Sequence, residues 1–486
     1  MPTVAFCTLG CKVNFYDTEG IWHTFQAAGY EQVPFENVAD VYVINTCTVT
    51  NTGDKKSRQM IRRAVRTNPS AIVVATGCYT QVAPDEVASI AGVDLVVGND
   101  SKSRIVKLVE EVRDEREPYR VVNDILKSRD FEEFDVPYFE DRTRANLKIQ
   151  DGCNNFCTFC LIPYARGLIR SRKPERILAQ ARKLGAAGYR EIVLTGIHTG
   201  GYGADLGGYR LAHLLSDLEK LDEVYRIRIS SIEASEIDDD LIEVLGSSKK
   251  VCPHLHIPLQ AGHNSVLKRM NRHYTVAEYR EKIRLLREKL PGLAVTSDVI
   301  VGFPGETDEQ FEATWDLIRE LAYSQLHVFP YSPKRGTPAA KFVDQVDESV
   351  KEDRVAKLMA LSLRLTEQYA YSLRGHEVEV IPEGPLVDID RSRVAGLNEA
   401  TGKQPGNRFF VEGHAGNYLR VAFPVPEGVS PESIMGEVCR VRLVHVGEDM
   451  QQGEFVSLIT RPTDGTATGE DLILSPTFHG SDGGVA

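Results

Sequence analysis

Short apolar runs without polar alternation recur along residues 1–100 of this chain: "TVAFCTLG", "DVYVINTC", "AIVVATGC" and "VDLVVGN", with helical stretches between them. A strand that is apolar on both sides must be buried on both faces, and helix-covered parallel sheets supply that setting. The pattern predicts an α/β fold that opens with a doubly wound parallel-sheet domain over residues 1–110. From 142 to 371 the alternation runs for six more rounds, through "ANLKIQDG", "EIVLTGIHTGG", "YRIRISSIEA", "HLHIPLQAG", "AVTSDVIVGFPGE" and "SQLHVFPYS". Amphipathic stretches separate them, such as "PERILAQARKLGAAGY", whose Pro174 suits a first helical turn. Six units predict a partial (β/α)6 barrel, open on one side, with functional residues at the strands' C-terminal ends. Residues 372–461 turn to β only, with glycines between the runs, as in a small barrel of the oligonucleotide-binding kind. Between the first two domains, residues 111–141 read as a charged linker with little core, and the tail 462–486 as disordered by composition.

A chain of 486 residues accommodates three such domains. No apolar run is long enough to span a membrane, and "MPTVAFCTLGC" enters a strand directly, without the pattern of a signal peptide. The expectation is therefore a cytoplasmic protein with reduced thiols and no membrane partner. Nine cysteines, an odd number, then read as metal ligands and buried thiols rather than as disulfides. The net charge of −12 argues only mildly against a nucleic-acid partner, because binding depends on local patches.

Three cysteines crowd into "DGCNNFCTFCLIPYARG", as Cys153, Cys157 and Cys160. An iron–sulfur cluster usually takes four thiolates. A four-iron cluster held by three leaves one iron open to chelate the amino and carboxylate groups of S-adenosylmethionine. Reductive cleavage then gives a radical able to attack C–H bonds that no side-chain base could deprotonate. Two readings compete: three free thiols in a loop, or a structural zinc site, which normally closes four ligands spaced in pairs. A second triad, Cys11, Cys47 and Cys78, comes at intervals of 36 and 31 residues, each member just after a predicted strand. Open parallel sheets gather ligands beyond the carboxyl ends of their strands, so one pocket could collect all three; three unrelated buried residues is the alternative. Cys7, Cys252 and Cys439 fall in strand runs and read as small hydrophobes.

The loop "GCNNFCTFCLIPYARG", set after "NLKIQ", resembles the radical S-adenosylmethionine superfamily. "TLGCKVNFYDTE", "VINTCTVTNTGDKKSR", "TGCYTQ", "RISSIEA", "HIPLQAGHNSVLKRMNRHYT" and "VGFPGET" resemble its methylthiotransferase family over about residues 1–460. The resemblance implies two [4Fe-4S] clusters. One, on Cys153, Cys157 and Cys160, generates the radical; an auxiliary one, on Cys11, Cys47 and Cys78, presents sulfur. It also implies S-adenosylmethionine as radical source and methyl donor, an electron donor such as flavodoxin or ferredoxin, a sulfur donor, and a C-terminal RNA-binding barrel of the TRAM kind. The segment around Cys11 looks most like the branch that adds a methylthio group to carbon 2 of N6-threonylcarbamoyladenosine beside the tRNA anticodon. Sister branches act on isopentenyladenosine in tRNA or on a ribosomal protein aspartate. A reading of another class is a non-enzymatic RNA-binding iron–sulfur carrier or sensor, although electron transfer needs no vacant iron.

Among further candidates, the resemblance places Thr195 and Gly196 near the methionine amino group, and Ser231, Glu233 and Gly302 near ribose and adenine. Glu233 and Asp298 read equally as buried paired carboxylates, and His254 and His256 as satisfied barrel-interior histidines. Lys55, Arg58, Arg62 and Arg66 share a helical face after Cys47 and are candidates for tRNA contact, against a solvated face. Arg408, Arg420, Arg440 and Arg442 stand among Phe409, Phe410 and Tyr418 as an RNA-binding set in the C-terminal barrel, where the rings could equally be core. Arg166 and Arg170 are candidates for the cation that a substrate carboxylate would need.

Overall fold

The computed structural model describes residues 1–115, 119–139, 142–385, 409–447 and 450–459. The first lobe is a six-stranded, wholly parallel sheet in the order Glu31–Gln32, Thr3–Thr8, Val41–Thr46, Ile72–Gly77, Leu95–Val97, Tyr119–Val121. Alternate residues of the central strand feed two cores. Val41 and Val43 join Phe25 and Leu108 from the helices Lys12–Ala27 and Ile105–Glu115 on one face. Tyr42 and Ile44 join Ile61 and Ala64 of the helix Asn51–Thr67 on the other. The strand order reverses between Thr3–Thr8 and Val41–Thr46, and ligands of doubly wound sheets settle beyond such a reversal.

The segment expected to hold little core is corrected in part. Tyr119–Val121 supplies the sheet's sixth strand, and Phe134, Val136 and Phe139 are buried between the first lobe and the next. Phe134 packs against the first helix at Gly20, where a Cβ would come within 2.3 Å of its ring. Three well-placed apolar residues decide burial here, and the acids beside them find partners: Glu132 accepts the Ser103 N–H and Glu133 pairs with Arg172.

The central lobe holds two three-stranded parallel sheets. Arg226–Ile229, Glu191–Thr195 and Ala145–Lys148 form one; His254–His256, Ala294–Val301 and Gln325–Pro330 form the other. A single parallel bridge between Ile227 and Val251 joins their edges. Ile192, Leu194, Ile227 and Ile229 face the helical layer, so Glu191, Arg226 and Arg228 fall on the opposite, inner face. Capping boxes at Thr275 with Glu278 and at Thr307 with Gln310 start two of the helices, each cap contributing about 1 kcal/mol.

The C-terminal lobe is a closed five-stranded barrel in the order Glu377–Pro385, Phe410–Ala415, Arg420–Pro424, Gln451–Ile459, Val438–His445, filled by Val380, Val411, Val421, Phe423, Val441 and Leu443. It docks through charge on the central lobe. Buried Glu191 accepts from Arg226 at 2.6 Å and Arg228 at 2.7 Å, and Arg228 donates onward to the carbonyls of Ala415 and Gly416. Tyr418 stacks on His254 with ring centroids 4.7 Å apart. No helix among the described residues is long and apolar enough to cross a membrane.

Candidate active site

Each cysteine of the first triad caps a strand end. Cys11 follows Thr3–Thr8 and precedes the helix Lys12–Ala27, Cys47 follows Val41–Thr46, and Cys78 opens the short helix after Ile72–Gly77. Gly10 turns at φ +102°, and a Cβ there would stand 2.9 Å from the Cys47 sulfur, so glycine keeps open the space beside it. Cys11 is reachable by solvent while Cys78 is buried. Crowding by protein atoms pushes the Cys11 and Cys47 thiols up; Arg166 opposes this at Cys11, and the Val49 N–H at Cys47.

Behind Cys78 lies a buried knot of charge. Arg166, fully buried, donates its Nε–H to Cys78 Sγ at 3.3 Å. One of its amino groups reaches Asp17 at 2.9 Å and Asp151 at 3.0 Å, and the other reaches Asn14. Lys102 and Lys148 also hold Asp17, at 2.5 and 2.7 Å, and Lys148 holds Asp151 at 2.7 Å. Burial disfavours the charged carboxylates, but these cations outweigh it and keep Asp17 and Asp151 well below the usual carboxylate range. Arg166, Lys102 and Lys148, with Arg170 at 4.0 Å, thus surround two carboxylates in a dry interior.

The second triad hangs on the loop after Gln150–Asp151. Backbone N–H groups of Asn155 and Ile162 point at Cys153 and Cys160 at 3.5 and 3.4 Å, and Arg272 donates to Cys157 at 3.4 Å while pairing with Glu233. Burial pushes the Cys160 thiol up to about 12, and raises Cys157 against the opposing Arg272. Gln150 ties this loop to the next strand end: its amide donates to Asp151 and Gly152 carbonyls, and its oxygen accepts the His198 N–H at 2.8 Å. His198 meets Glu236 at 2.5 Å. Burial opposes charge on its ring, but Cys153 and Glu236 prevail and push it up to about 10.

The donor sets fit iron–sulfur clusters. N–H groups and guanidinium groups aimed at sulfur are what a cluster's thiolates require. Among the described residues only His256, Asp298 and His327 bring three potential ligand atoms all within 4.8 Å of one another. A structural zinc normally closes four ligands, whereas each triad offers three sulfurs.

Other sequence candidates land variously. Thr195 is buried with its hydroxyl on the Val193 carbonyl, and Gly196 leaves room beside Gln150. Ser231 and Glu233 are half-buried after the strand Arg226–Ile229. Gly302 gives its N–H to Glu306 at 2.6 Å, and Lys351 packs where a Cβ would stand. Arg166 and Arg170 are corrected as substrate cations, since both are buried and Arg166 is committed to protein partners. Arg170 donates to the Arg166 and Leu168 carbonyls and lies 4.0 Å from Asp151. His254 and His256 share Thr296, and Asp298 pairs with His256 at 3.4 Å. Cys252 and Cys439 are buried, Cys7 partly so.

Lys55, Arg62 and Arg66 are exposed on one helix face, while Arg58 binds Tyr79 and Glu86. On the C-terminal barrel Arg420 pairs with Glu412, and Arg440 and Arg442 with Glu377. Arg408 lies outside the described residues. Tyr418 is corrected as a free stacking ring, because His254 and Arg228 already occupy it. Sequence reasoning missed His198, Gln150, Arg272 and Asp17. The first stands inside "LTGIHTGG" and the third in "RMNRHYT", but nothing local marks either as facing a cysteine.

Comparison with known proteins supplies the family. The Radical SAM superfamily profile matches residues 147–318, and that of "Uncharacterized protein family UPF0004" matches 3–98. Threonylcarbamoyladenosine tRNA methylthiotransferase MtaB of Bacillus subtilis (strain 168) is 53% identical over 460 residues, 94% of this chain and 97% of that one. The chain belongs to the radical S-adenosylmethionine methylthiotransferase family. The protein of the same name from Aquifex aeolicus (strain VF5) is 44% identical, over 80% of this chain and 96% of its own. Among solved structures, the radical S-adenosylmethionine methyltransferase TsrM from Kitasatospora setae superposes with a TM-score of 0.53 at 16% identity, covering 70% of this chain and 77% of that one, which is a likeness of fold.

Proposed function

We propose that this chain is a tRNA methylthiotransferase that places a methylthio group on carbon 2 of N6-threonylcarbamoyladenosine next to the anticodon. The observation that carries the reading is the 53% identity, across nearly the whole of both chains, with a relative named for that activity. On this reading Cys153, Cys157 and Cys160 hold the radical-generating [4Fe-4S] cluster, and Cys11, Cys47 and Cys78 the auxiliary one. When bound, the clusters and S-adenosylmethionine supply homolytic attack on a C–H bond too strong and too weakly acidic for a side-chain base, and the sulfur and methyl that replace its hydrogen.

The chain's own residues hold the geometry. Arg272 and Arg166 each brace one cysteine sulfur with a charge-assisted hydrogen bond. Gln150 and Asp151 couple the second cysteine loop to its neighbours, and His198 with Glu236 backs Cys153. Thr195, Gly196, Ser231 and Glu233 flank the strand ends where S-adenosylmethionine would lie. The two parallel sheets of the central lobe read as a partial (β/α)6 barrel over 142–371, and the closed barrel over 372–461 as a TRAM-like RNA-binding domain. Lys55, Arg62 and Arg66 offer the tRNA a positive face. A reductant such as flavodoxin or ferredoxin and a sulfur donor complete the reaction, in the cytoplasm.

Mass spectrometry of tRNA nucleosides tests the proposal. A strain lacking this gene should retain N6-threonylcarbamoyladenosine and lose its 2-methylthio derivative. Loss of the methylthio group from isopentenyladenosine instead would assign the sister activity.

A further inference from the structure

We propose that Lys12 is the cation that receives the substrate's threonine carboxylate and thereby selects which N6-modified adenosine the site accepts. The inference rests on the function proposed above and deepens it. Lys12 opens the helix Lys12–Ala27, one residue beyond Cys11, at the mouth of the first cysteine site. Its side chain is open to solvent. Burial and the cations Arg144, Arg228 and Arg142 lower its ammonium to about 8 against Glu191, and Lys12 in turn helps to lower His254, so Lys12 lies in the neighbourhood of the central lobe's charged inner face.

Neighbouring cations are already answered. Arg226 and Arg228 pair with Glu191, Arg144 with Glu191 and Glu383, and Arg272 with Glu233. Among the described residues no hydrogen bond or ion pair involves the Lys12 side chain. Three arginines and Lys12 thus stand around two carboxylates, Glu191 and Glu383, and such a cluster draws an anion.

The chemistry of the substrate says which anion. The ureido group on N6 hydrogen-bonds back to ring nitrogen 1, which lays the threonine tail along the edge that ends at carbon 2. Carbon 2 must face the sulfur presented at Cys11, Cys47 and Cys78. A cation beside Cys11 therefore stands where the carboxylate comes to rest. An isopentenyl group carries no charge and gains nothing from it. The carboxylate of S-adenosylmethionine is the other anion this region handles, so the test alters the RNA alone.

Anticodon stem-loop RNAs bearing N6-threonylcarbamoyladenosine, or the same nucleoside with its carboxylate converted to the neutral methyl amide, would be compared on wild type, Lys12→Gln and Lys12→Arg. Both Kd on protein without S-adenosylmethionine and kcat/KM on the complete enzyme are read. Wild type should favour the carboxylate about ten- to hundredfold, the range of one charge-assisted hydrogen bond. Lys12→Gln should erase that preference, and Lys12→Arg should keep most of it. Both RNAs meet the same preparation, so damage to fold or cluster cancels in the ratio. A preference undiminished in Lys12→Gln, or absent in wild type, overturns the proposal. If wild type modifies neither RNA but does modify an isopentenyl-bearing one, the function reading itself fails.

Discussion

Cys153, Cys157 and Cys160 sit within eight consecutive residues, whereas Cys11, Cys47 and Cys78 are drawn from three strand ends spread over 68. The first arrangement is written into one loop and needs the fold only to orient it. The second exists only when the parallel sheet has formed in its proper order. Each triad has an arginine on one sulfur, but their settings differ. Arg272 serves Cys157 from a half-open pair with Glu233, while Arg166 serves Cys78 from the middle of a buried ion network. Two sites of three cysteines each can thus differ in what their loss costs the protein.

The largest expected effect comes from removing the ligands. Alanine at all three of Cys153, Cys157 and Cys160 should halve the iron of a reconstituted protein holding about eight irons, four per cluster, and abolish cleavage of S-adenosylmethionine. Alanine at Cys11, Cys47 and Cys78 should also halve the iron but leave uncoupled cleavage to 5′-deoxyadenosine. Iron analysis and chromatography of that product decide. Retention of all iron in either variant would break the comparison.

Next come the two arginines. Arg166→Ala leaves Asp17 and Asp151 short of a buried partner and should destabilise the apoprotein by about 3–5 kcal/mol, read from denaturant midpoints. Arg272→Ala should cost less, since Glu233 can reach water. Equal losses would mean that the buried network contributes nothing of its own.

Acid sharpens the contrast. Asp17 is held well below the ordinary carboxylate range by Lys102, Lys148 and Arg166. A depressed carboxylate stabilises the fold above its unfolded pKa and loses that contribution as pH falls toward the folded value. The stability gap between wild type and Asp17→Asn should therefore be constant from pH 8 to about 5. Below pH 4 it should narrow, by at most about 1.4 kcal/mol per pH unit. Denaturant titrations at several pH values would show it.

The smallest effect is on RNA. Alanine at Lys55, Arg62 or Arg66 should weaken tRNA binding and lower the salt slope by about one for each phosphate that the protein no longer neutralises. An unchanged slope would move recognition elsewhere.

These contrasts also explain what can be read from the chain alone. The placement of the six cysteines is legible because local spacing puts one set in a single loop and the strand rhythm puts the other at three strand ends. Arg166 lies in view yet suggests the wrong partner. Its burial comes from Asn14 and Asp17, about 150 residues away, and no local pattern reports that convergence. Tyr418 misleads in the same way: aromatic spacing along a strand does not say that another lobe's histidine covers the ring. Phe134, Val136 and Phe139 are masked by the acidic residues among them.

Those three residues carry a consequence for how such a chain can be taken apart or recombined. Their side chains belong to one continuous apolar interior shared by the first two lobes, whereas the C-terminal barrel keeps a separate core. Chimeras of related proteins should therefore tolerate a crossover near residue 372, where polar contacts can be re-matched, and fail at one near 110, where a cut would strand half an interior on each parent. On heating, the first two lobes should lose their structure in one step, and the barrel can melt separately.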